Sequence, residues 1–334
     1  MESLERLPNI VRLSERVVRV LGLNPSKFTL QGTNTYLIGK GPRKLLLDTG
    51  EGVPEYIPLL QSALDKDLAG ATITQVVCSH WHHDHVGGIQ DVIQFLASRN
   101  IHLHNNNNNN DDAPTTTTLS ETRNTRVDED TTLVTLHTPG HTSDHCSFYL
   151  KEENTLFTAD CVLGQGTAVF EDLSSYIKSL EKQLAIVGGG GGGGVASFKI
   201  YPGHGPVIED GPNKIREYIK HRLDREKQIL GVLSLTTTPI TSGTLESGSN
   251  NNNNDTNAPT VGGKTAMQIV SVIYEAYPAS LHRAAEHQVL LHLKKLEQDG
   301  KVKRKGAANF TEEGEEVDMS DVVWEPVQQA QASL

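Results

Sequence analysis

The feature that most constrains this chain is a histidine-rich turn that directly follows an apolar run. In "ITQVVCSHWHHDHVGG", the pattern H-x-H-x-D-H places His80, His82, Asp84 and His85 within six residues. The β-branched residues before the turn predict a strand. Imidazole and carboxylate groups suit Zn²⁺, and a strand end supports them rigidly. The turn therefore predicts half of a metal site; the alternative is a polar loop whose histidines bind nothing.

Three further donors follow other predicted strands, where a rigid metal site needs them. His141 comes after "LVTLHTPG", Asp160 after "NTLFTA" and His204 after "FKIYPG". With the turn they make seven donors, which suits two zinc ions that each keep a position open for water. A carboxylate such as Asp160 can bridge two cations that lie about 3.5–4 Å apart.

The order of donors in the turn predicts how they divide between the two ions. We expect His80 and His82 to point the same way, and Asp84 and His85 to turn towards the second ion. Metal binding lowers the pKa of water to about 7, which provides a hydroxide nucleophile at neutral pH. Asp84 is the candidate catalytic residue that orients this water and moves its proton. The pattern predicts a hydrolase that holds two Zn²⁺ ions per chain.

Two residues are candidates for supporting the donors. Asp48, in "LLLDTG", follows a predicted strand. We expect it to orient a ligand histidine, because a metal-bound histidine usually donates its other N–H to a carboxylate or carbonyl. A turn-forming aspartate before Thr-Gly is an equal alternative. His145 follows His141 by four residues, and we expect it to support the site or to pack against it.

Substrate contacts are predicted on two segments. "GQGTAVFEDLSSY" follows Asp160 closely, and its glycines leave room beside the metals. Its candidate substrate residues are Thr167, Phe170 and Tyr176. In "YIKHRLDRE", His221 and Arg225 lie one turn apart on a predicted helix and are candidates for binding a phosphate. An amphipathic helix with a charged outer face explains the same pattern.

Low-complexity tracts predict where the chain divides. The Asn/Thr tract at 105–118, the glycines at 188–194 and the Asn-rich tract after Gly248 cannot bury enough apolar surface to offset their ordering entropy. Strands alternate with helical patterns between them, which predicts a layered architecture with the sheets inside. The predicted divisions are a catalytic domain at 1–233, a flexible linker at 234–263, a winged-helix-like domain at 264–308 and an acidic tail at 309–334.

The C-terminal segment carries a distinct pattern. Apolar residues repeat at helical spacing from Leu281 to Leu296, and "QDGKVKR" follows them like the wing of a winged helix. Such folds often bind nucleic acid through the helix and the wing. A module that packs over the rim of the active site is the alternative.

Charge is distributed unevenly along the chain. The net charge of −11 argues against a nucleic-acid partner. However, Glu312 to Asp321 contributes six acids, and Lys294 to Lys305 has six bases against two acids, a local charge of +4. A basic segment of this kind suits an anionic partner or a solvated face, whereas the acidic segment suits a solvated tail.

Other features bear on the compartment. No apolar run approaches the ~20 residues that cross a bilayer, so we expect no membrane association. The three cysteines are odd in number and widely separated, which favours a reducing compartment over a disulfide framework. The acidic N-terminal segment favours a cytoplasmic protein.

Several segments together resemble a known family. "TLQGTNTYLIG", "LLLDTGEG", "SHWHHDHVGGI", "TPGHTSDH", "GQGTAVFEDL" and "YPGHGPVI" are similar to the motifs of the metallo-β-lactamase superfamily. Within it, the chain most resembles the group of the beta-lactamase-like protein two endoribonucleases. The resemblance covers most of residues 10–233 and resumes at 264–305. The segment 105–130 departs from it, which leaves substrate contacts from that side undefined.

This resemblance implies an α+β fold, an αββα sandwich with a dinuclear site at one edge of two packed sheets. It also implies a division of the metal ligands. The first ion takes His80, His82 and His141, the second takes Asp84, His85 and His204, and Asp160 bridges them. The resemblance allows the mitochondrial matrix as well as the cytoplasm.

Three functional hypotheses follow from the family resemblance. The first is an endoribonuclease that cleaves single-stranded RNA. The second is a thioesterase that releases acyl groups from an acyl carrier protein or another thiol, because "NPSKFTLQGTNTYLIG" and "AVFEDL" also resemble the carrier-protein thioesterases of polyketide pathways. A basic segment suits either acidic partner. A binding module on an inactive hydrolase fold ranks last, because all seven donors are present.

Overall fold

The computed structural model describes residues 4–101, 123–187, 197–234, 263–305 and 319–327. Contacts divide the chain into two compact units, Met1–Ile219 and Lys220–Leu334. The tracts at 105–118 and 188–194 lie outside the described residues, as does most of the segment at 234–263. No helix of the described residues combines the length and the apolar character needed to cross a membrane.

The first unit begins with a five-stranded sheet whose strands follow chain order. Its strands are β1 (Ile10–Arg12), β2 (Val17–Leu21), β3 (Asn34–Ile38), β4 (Arg43–Leu47) and β5 (Thr72–Val77). Neighbouring strands are antiparallel except β4 and β5, which are parallel. The parallel pair is connected through helix α1 (Tyr56–Ser62), which a π-helical turn extends to Asp67.

A second five-stranded sheet completes the first unit, in the order β10-β9-β8-β7-β6. Its strands are β6 (Arg123–Asp128), β7 (Thr131–His137), β8 (Cys146–Leu150), β9 (Thr155–Ala159) and β10 (Lys199–Pro202). Only β9 and β10 pair in parallel. The crossover between them includes helix α4 (Leu173–Val187). Parallel neighbours require such a crossover, which places a helix on a face of the sheet.

The core of the first unit lies between the two sheets. Leu45 and Leu47 of β4 face this interior with Phe148 and Phe157 of the second sheet. The intervening Leu46 points to the opposite face, where it packs with α1 and with helix α3 (Ile89–Ser98). On the second sheet, Gln183 of α4 donates a hydrogen bond to Ser147 of β8 (2.8 Å). Helices therefore cover both outer faces, which confirms the predicted αββα sandwich.

The second unit combines helices with a short two-stranded sheet. Helix α5 (Gly211–Ser234) runs from the first unit into the second. The other elements are α6 (Ala266–Ile273), α7 (His282–Gln298), β11 (Val302–Arg304) and β12 (Trp324–Pro326). β11 and β12 pair antiparallel and form a wing after the helices. Ile229 and Leu233 of α5 pack with Val289 and Leu293 of α7. Residues 220–234 of α5 belong to the second unit by their contacts, whereas the sequence-based division ends the first domain at 233.

The predicted acidic tail at 309–334 requires a correction. Trp324 within it is fully buried and forms strand β12 against Arg304 of β11. The guanidinium of Arg304 lies 5.4 Å from the centre of the Trp324 ring. The charge of the flanking residues obscured this strand, because burial of one large aromatic side chain outweighs the solvation of its polar neighbours.

Candidate metal centre

The histidine-rich turn lies at the end of β5. After Val77 the chain makes a short connection and then begins helix α2 (His83–Val86). His80 and His82 therefore precede the helix, whereas Asp84 and His85 lie on its single turn. This change from an extended to a helical backbone turns the two halves of the motif in different directions.

The first donor group consists of His80, His82, His141 and Asp160, whose ligand atoms all lie within 4.8 Å of one another. His82 Nδ1 is 2.9 Å from His80 Nε2 and 3.0 Å from His141 Nε2. His141 Nε2 is 3.7 Å from Asp160 Oδ2. Donors bound tetrahedrally at Zn–N distances of 2.0–2.1 Å are separated by about 3.3 Å, so this group has the dimensions of a zinc site.

The second donor group consists of Asp84, His85, Asp160 and His204, again within 4.8 Å. His85 Nε2 lies 3.2 Å from Asp84 Oδ2 and 3.3 Å from Asp160 Oδ1. His204 Nε2 lies 3.1 Å and 3.2 Å from the same two oxygens. Asp160 thus presents Oδ2 to the first group and Oδ1 to the second. This is the arrangement of a carboxylate that bridges two cations.

The donors fit metal ions for a further reason. His85 Nε2 and Asp160 Oδ1 are buried and have no hydrogen-bond partner among the described residues. A buried polar atom without a partner costs about 1–3 kcal/mol, more when it is charged. A cation between the donors would satisfy both atoms. The nitrogen and oxygen donors, their convergence and these unsatisfied atoms therefore agree with metal binding.

The environment sets different charges in the two groups. Burial lowers the pKa of His80 well below its ordinary value, so this imidazole is neutral and can donate its lone pair. Burial also disfavours a charged His204, but the Asp160 carboxylate raises its pKa to about 9. The pKa of Asp160 is low because His204 and His85 outweigh the effect of its burial. Metal binding to the second group must therefore displace protons from its histidines.

Asp48 contacts the nitrogen of His85 that faces away from the second donor group. Its Oδ2 lies 2.8 Å from His85 Nδ1 and accepts a hydrogen bond from the Ser79 hydroxyl (2.9 Å). Its Oδ1 accepts from the Ser79 backbone N–H (2.7 Å). The opposite nitrogen of His85, Nε2, is thereby left to face the second donor group. His141 is oriented in a similar way, because its Nδ1 donates to the carbonyl of Val169 (2.9 Å).

His145 lies beside the first donor group without belonging to it. It is fully buried, and its Nδ1 is 2.9 Å from the hydroxyl of Thr138. Its ring centre lies 5.3 Å from that of His80 and 5.7 Å from that of His141. Burial lowers the pKa of His145 to about 3, so the ring is neutral. The structure places it as a packing neighbour of two donors.

A cavity of about 400 Å³ opens onto both donor groups. Its wall includes His82 and Asp84 from the turn, and predicted Thr167 from the segment after Asp160. The wall also includes residues that the sequence did not single out, namely Lys27, Phe28, Thr29, Leu30, Leu163, Gln165 and Val169. Four of these, Lys27 to Leu30, belong to the loop between β2 and β3, a segment that the sequence analysis quoted only for its family resemblance.

Two predicted substrate residues occupy other positions. Phe170 and Tyr176 are buried and stack on each other with ring centres 5.4 Å apart. The Tyr176 hydroxyl donates to the carbonyl of Cys161 (2.6 Å). Neither residue is among the described residues that line the cavity, and their contact with substrate stays a prediction. Their large apolar surfaces are buried where α4 packs onto the second sheet, whereas the shorter Thr167 remains exposed.

His221 and Arg225, the other substrate candidates, lie in the second unit on α5. The guanidinium of Arg225 lies 4.6 Å from the centre of the Tyr274 ring, a cation–π contact. Partial burial, with the charges of Arg222 and Arg225, lowers the pKa of His221. Their role in phosphate binding remains a prediction.

Most of the basic segment between Lys294 and Lys305 is engaged in ion pairs. Lys295 pairs with Glu226 of α5 (2.9 Å) and with Asp299 (2.8 Å). Further pairs join Lys301 to Asp299, Lys303 and Lys305 to Glu325, and Arg304 to Glu297. Glu226 and Glu325 add two carboxylates that the sequence window omitted, which lowers its local charge from +4 to +2. The exposed Lys294 has no ion pair among the described residues.

Comparison with known proteins agrees with this geometry. Residues 28–190 match the model of the metallo-beta-lactamase superfamily, and residues 265–310 match that of the beta-lactamase associated winged helix domain. The chain is 39% identical over 306 residues to a beta-lactamase-like protein 2 homolog of Drosophila melanogaster, a match that covers 89% of this chain and 93% of that protein. A homolog from Caenorhabditis elegans is 38% identical, over 90% of this chain and 91% of its own length.

A fungal relative and two solved structures extend the comparison. The lactamase-like protein notP of Aspergillus sp. is 39% identical over 70% of this chain and 68% of its own length. A beta-lactamase domain protein from Burkholderia ambifaria shares the fold with a TM-score of 0.65 at 15% identity, covering 96% of this chain and 95% of that one. A metallo-beta-lactamase family protein from Thermus thermophilus has a TM-score of 0.56 at 18% identity, covering 94% and 100%. The chain thus belongs to the metallo-beta-lactamase superfamily and carries the winged-helix domain associated with it.

Proposed function

We propose that this hydrolase is a metal-dependent endoribonuclease that cleaves phosphodiester bonds of single-stranded RNA. The observation that carries the proposal is the pair of donor groups that share Asp160 and open onto one cavity. Paired metal sites of this kind stabilise both the attacking and the leaving oxygen of a phosphoryl displacement. Single-stranded RNA suits a cavity of this size because an unpaired strand can enter it one nucleotide at a time.

The donors divide between two cations. His80, His82 and His141 would hold one cation, while Asp84, His85 and His204 would hold the other, with Asp160 shared. The mixture of imidazole and carboxylate donors suits zinc. When bound, the cations would lower the pKa of water and stabilise the negative charge that develops on the phosphoryl oxygens.

Asp84 is the residue of this chain best placed to orient the attacking water and to accept its proton. Its Oδ2 accepts a hydrogen bond from the hydroxyl of Thr33 (3.3 Å), and the residue lines the cavity. Although burial raises its pKa, the imidazoles of His204 and His85, whose Nε2 atoms lie 3.1 Å and 3.2 Å from its Oδ2, lower that pKa well below the ordinary value. Asp84 is therefore a carboxylate at neutral pH, able to accept a hydrogen bond from the attacking water.

The charges of the cavity favour an anionic substrate. Among the described residues that line it, the only carboxylates are Asp84 and Asp160, which the cations would neutralise. Lys27 adds a positive charge to the same wall. A phosphodiester carries one negative charge per nucleotide and gains from this field, whereas a neutral thioester does not.

A thioesterase is the second candidate, and the apolar part of the cavity favours it. Phe28, Leu30, Leu163 and Val169 all line the wall and offer surface to an acyl chain. The ion pairs around the basic segment weaken the docking of an acyl carrier protein and of RNA alike, so that segment does not discriminate between the two candidates.

The experiment that tests the proposal is cleavage of an end-labelled single-stranded RNA by the zinc-loaded protein. Asp160→Ala should abolish the fragments seen on a gel and reduce the bound metal. Glu181→Ala, an exposed carboxylate on α4, is the matched control and should cleave like the unmodified protein. If the unmodified protein holds about two metals per chain and leaves the RNA intact while it hydrolyses an acyl thioester, the endoribonuclease proposal is wrong and the thioesterase takes its place.

A further inference from the structure

The loop between β2 and β3 presents an aromatic ring and a cation at the cavity. Phe28 exposes 70% of its surface, although it is a large apolar residue. The ammonium group of Lys27 lies 4.7 Å from the centre of the Phe28 ring. Both residues line the cavity that contains His82, Asp84 and Asp160. An exposed aromatic ring beside such a cavity indicates a ligand-binding contact more strongly than one on an unrelated surface.

The loop holds this ring in place through its own hydrogen bonds. The Ser26 hydroxyl accepts from the backbone N–H groups of Phe28 and Thr29 (both 3.1 Å). The Thr29 hydroxyl donates to the carbonyl of Asn24 (2.5 Å), and the Gly32 N–H donates to the carbonyl of Thr29 (2.9 Å). The exposure of Phe28 therefore belongs to an ordered turn, and little conformational entropy would be lost when a ligand binds the ring.

The same loop is tied to the metal donors. Asn24 accepts from the Thr33 backbone N–H (2.9 Å) and donates to the Thr33 hydroxyl (3.1 Å). That hydroxyl in turn contacts Asp84. The base of the loop thus has a defined position relative to the second donor group, as a ligand that bridges the two requires.

The charge of Lys27 is available to a ligand. No carboxylate lies within ion-pair distance of this exposed lysine among the described residues. The cavity wall also carries Val169, which is 56% exposed. A ligand at this end of the cavity therefore meets one positive charge, one aromatic face and one aliphatic side chain.

We propose that Lys27 and Phe28 form a nucleotide subsite beside the scissile phosphodiester. Phe28 stacks on an unpaired base, and Lys27 pairs with a backbone phosphate of the same strand. This combination of stacking and phosphate contact is how proteins bind single strands without strong sequence preference. The subsite deepens the proposed function and rests on it. It requires an unstacked base, so a fully paired duplex does not occupy it.

The aromatic part is tested with Phe28→Ala and the conservative Phe28→Trp. Phe28→Ala removes the free energy of stacking on one base. It should therefore raise the KM for single-stranded RNA about tenfold, with a smaller change in kcat. Phe28→Trp should restore the KM. Metal content per chain should match the unmodified protein, which separates loss of the subsite from collapse of the site. Tyr277→Ala changes an exposed aromatic residue in the second unit and is the control for non-specific binding of RNA to aromatic side chains.

The cationic part is tested by salt dependence. Affinity for a labelled single strand is measured on the Asp160→Ala background, where cleavage does not consume the strand. Adding Lys27→Ala should reduce the slope of log affinity against log salt by about 0.7, the value for one phosphate contact in single-stranded nucleic acid. Adding Phe28→Ala should weaken binding without changing the slope. Lys178→Ala, an exposed lysine on α4, is the matched control.

The outcomes separate this subsite from the function on which it rests. If the unmodified protein does not cleave RNA, the proposed function fails, whereas the binding slopes still report on the subsite. An unchanged slope for Lys27→Ala, or no more loss of affinity for Phe28→Ala than for Tyr277→Ala, overturns the subsite itself. The nucleotide subsite is also overturned if Phe28→Ala raises the KM for a long-chain acyl thioester and not for RNA, because the ring would then bind an acyl chain.

Discussion

Asp48 Oδ2 lies 2.8 Å from His85 Nδ1, so a carboxylate at the end of β4 orients a donor on α2, the short helix that follows β5. The same carboxyl group accepts two hydrogen bonds from Ser79, just before the turn. Asp48 has φ of +62°, a left-handed conformation that asparagine and aspartate tolerate better than most residues. One side chain thus joins two strand ends and aligns an imidazole.

Asp48→Asn should weaken binding of the second cation about 10–100-fold, the usual effect of removing a partner of a metal-bound histidine. Asparagine suits the backbone conformation at this position, so the loss of metal affinity should come from the missing charge. The measurement is metal affinity by competition with a chelator. Asp144→Asn, an exposed aspartate, is the control. An unchanged affinity in Asp48→Asn would show that Asp48 only shapes the turn.

Removal of metal should destabilise the first unit. Without a cation, His85 Nε2 and Asp160 Oδ1 are buried and unsatisfied, and ligand binding to the folded state alone adds about 2.7 kcal/mol at a hundredfold excess over Kd. Thermal unfolding should therefore occur at a lower temperature after chelation and return on addition of zinc. Asp160→Ala should lack most of the zinc-dependent shift. A melting temperature that zinc does not change in the unmodified protein would contradict metal binding by these donors.

Thr33→Val should reduce kcat for RNA by about tenfold or more. It removes the hydroxyl that donates to Asp84 Oδ2, and hydrogen bonds to charged groups are worth about 1.5–3 kcal/mol. Thr33→Ser keeps the hydroxyl and should retain most of the activity. Metal content is measured alongside kcat. Equal kcat values for the two variants would remove Thr33 from the positioning of Asp84.

Gly203→Ala should disrupt the shared carboxylate. A Cβ atom at this position would collide with Asp160 Oδ1 and lie 2.9 Å from the Ala159 carbonyl carbon, closer than real contacts allow. Displacement of Asp160 should lower metal content below that of the unmodified protein. Gly231→Ala on α5 meets nothing within 4 Å and should stabilise its helix by about 0.8–1 kcal/mol. Full metal content in folded Gly203→Ala would refute the close approach of the backbone to Asp160.

Trp324→Ala should destabilise the second unit by about 3–5 kcal/mol, because the ring is fully buried among α6, α7 and the wing. The chain has two tryptophans, and Trp81 is largely exposed, so the blue-shifted part of the fluorescence reports on Trp324. Denaturant unfolding followed by circular dichroism measures the loss. Val327→Ala, near the same strand but partly exposed, should have a small effect.

Local chemistry made much of the site predictable from the sequence. His80, His82, Asp84 and His85 follow one strand within six residues, so their spacing alone indicates where they meet. The alternation of strands with helices predicted a layered architecture, and the resemblance to the metallo-β-lactamase superfamily implied the αββα sandwich. The second donor group also needed β9 and β10 to lie side by side, which brings Asp160 and His204 together across a parallel pair.

Other properties depend on partners that are distant in sequence. The charge of the basic segment falls because Glu226 and Glu325 approach Lys295 and Lys305 from outside the sequence window. Phe170 is buried because α4 packs over it, whereas Phe28, an equally apolar residue, is exposed. Composition does not distinguish these two phenylalanines.

The sequence by itself determined which atoms can bind metal, because ligand chemistry resides in single side chains and their short-range spacing. Only the tertiary structure decided how those atoms are shared, since the two oxygens of Asp160 reach different groups only when both sheets are packed. It also decided which residues line the cavity. Burial and ion pairing are set by the sum of contacts around a side chain, and those contacts come from elements that lie far apart along the chain.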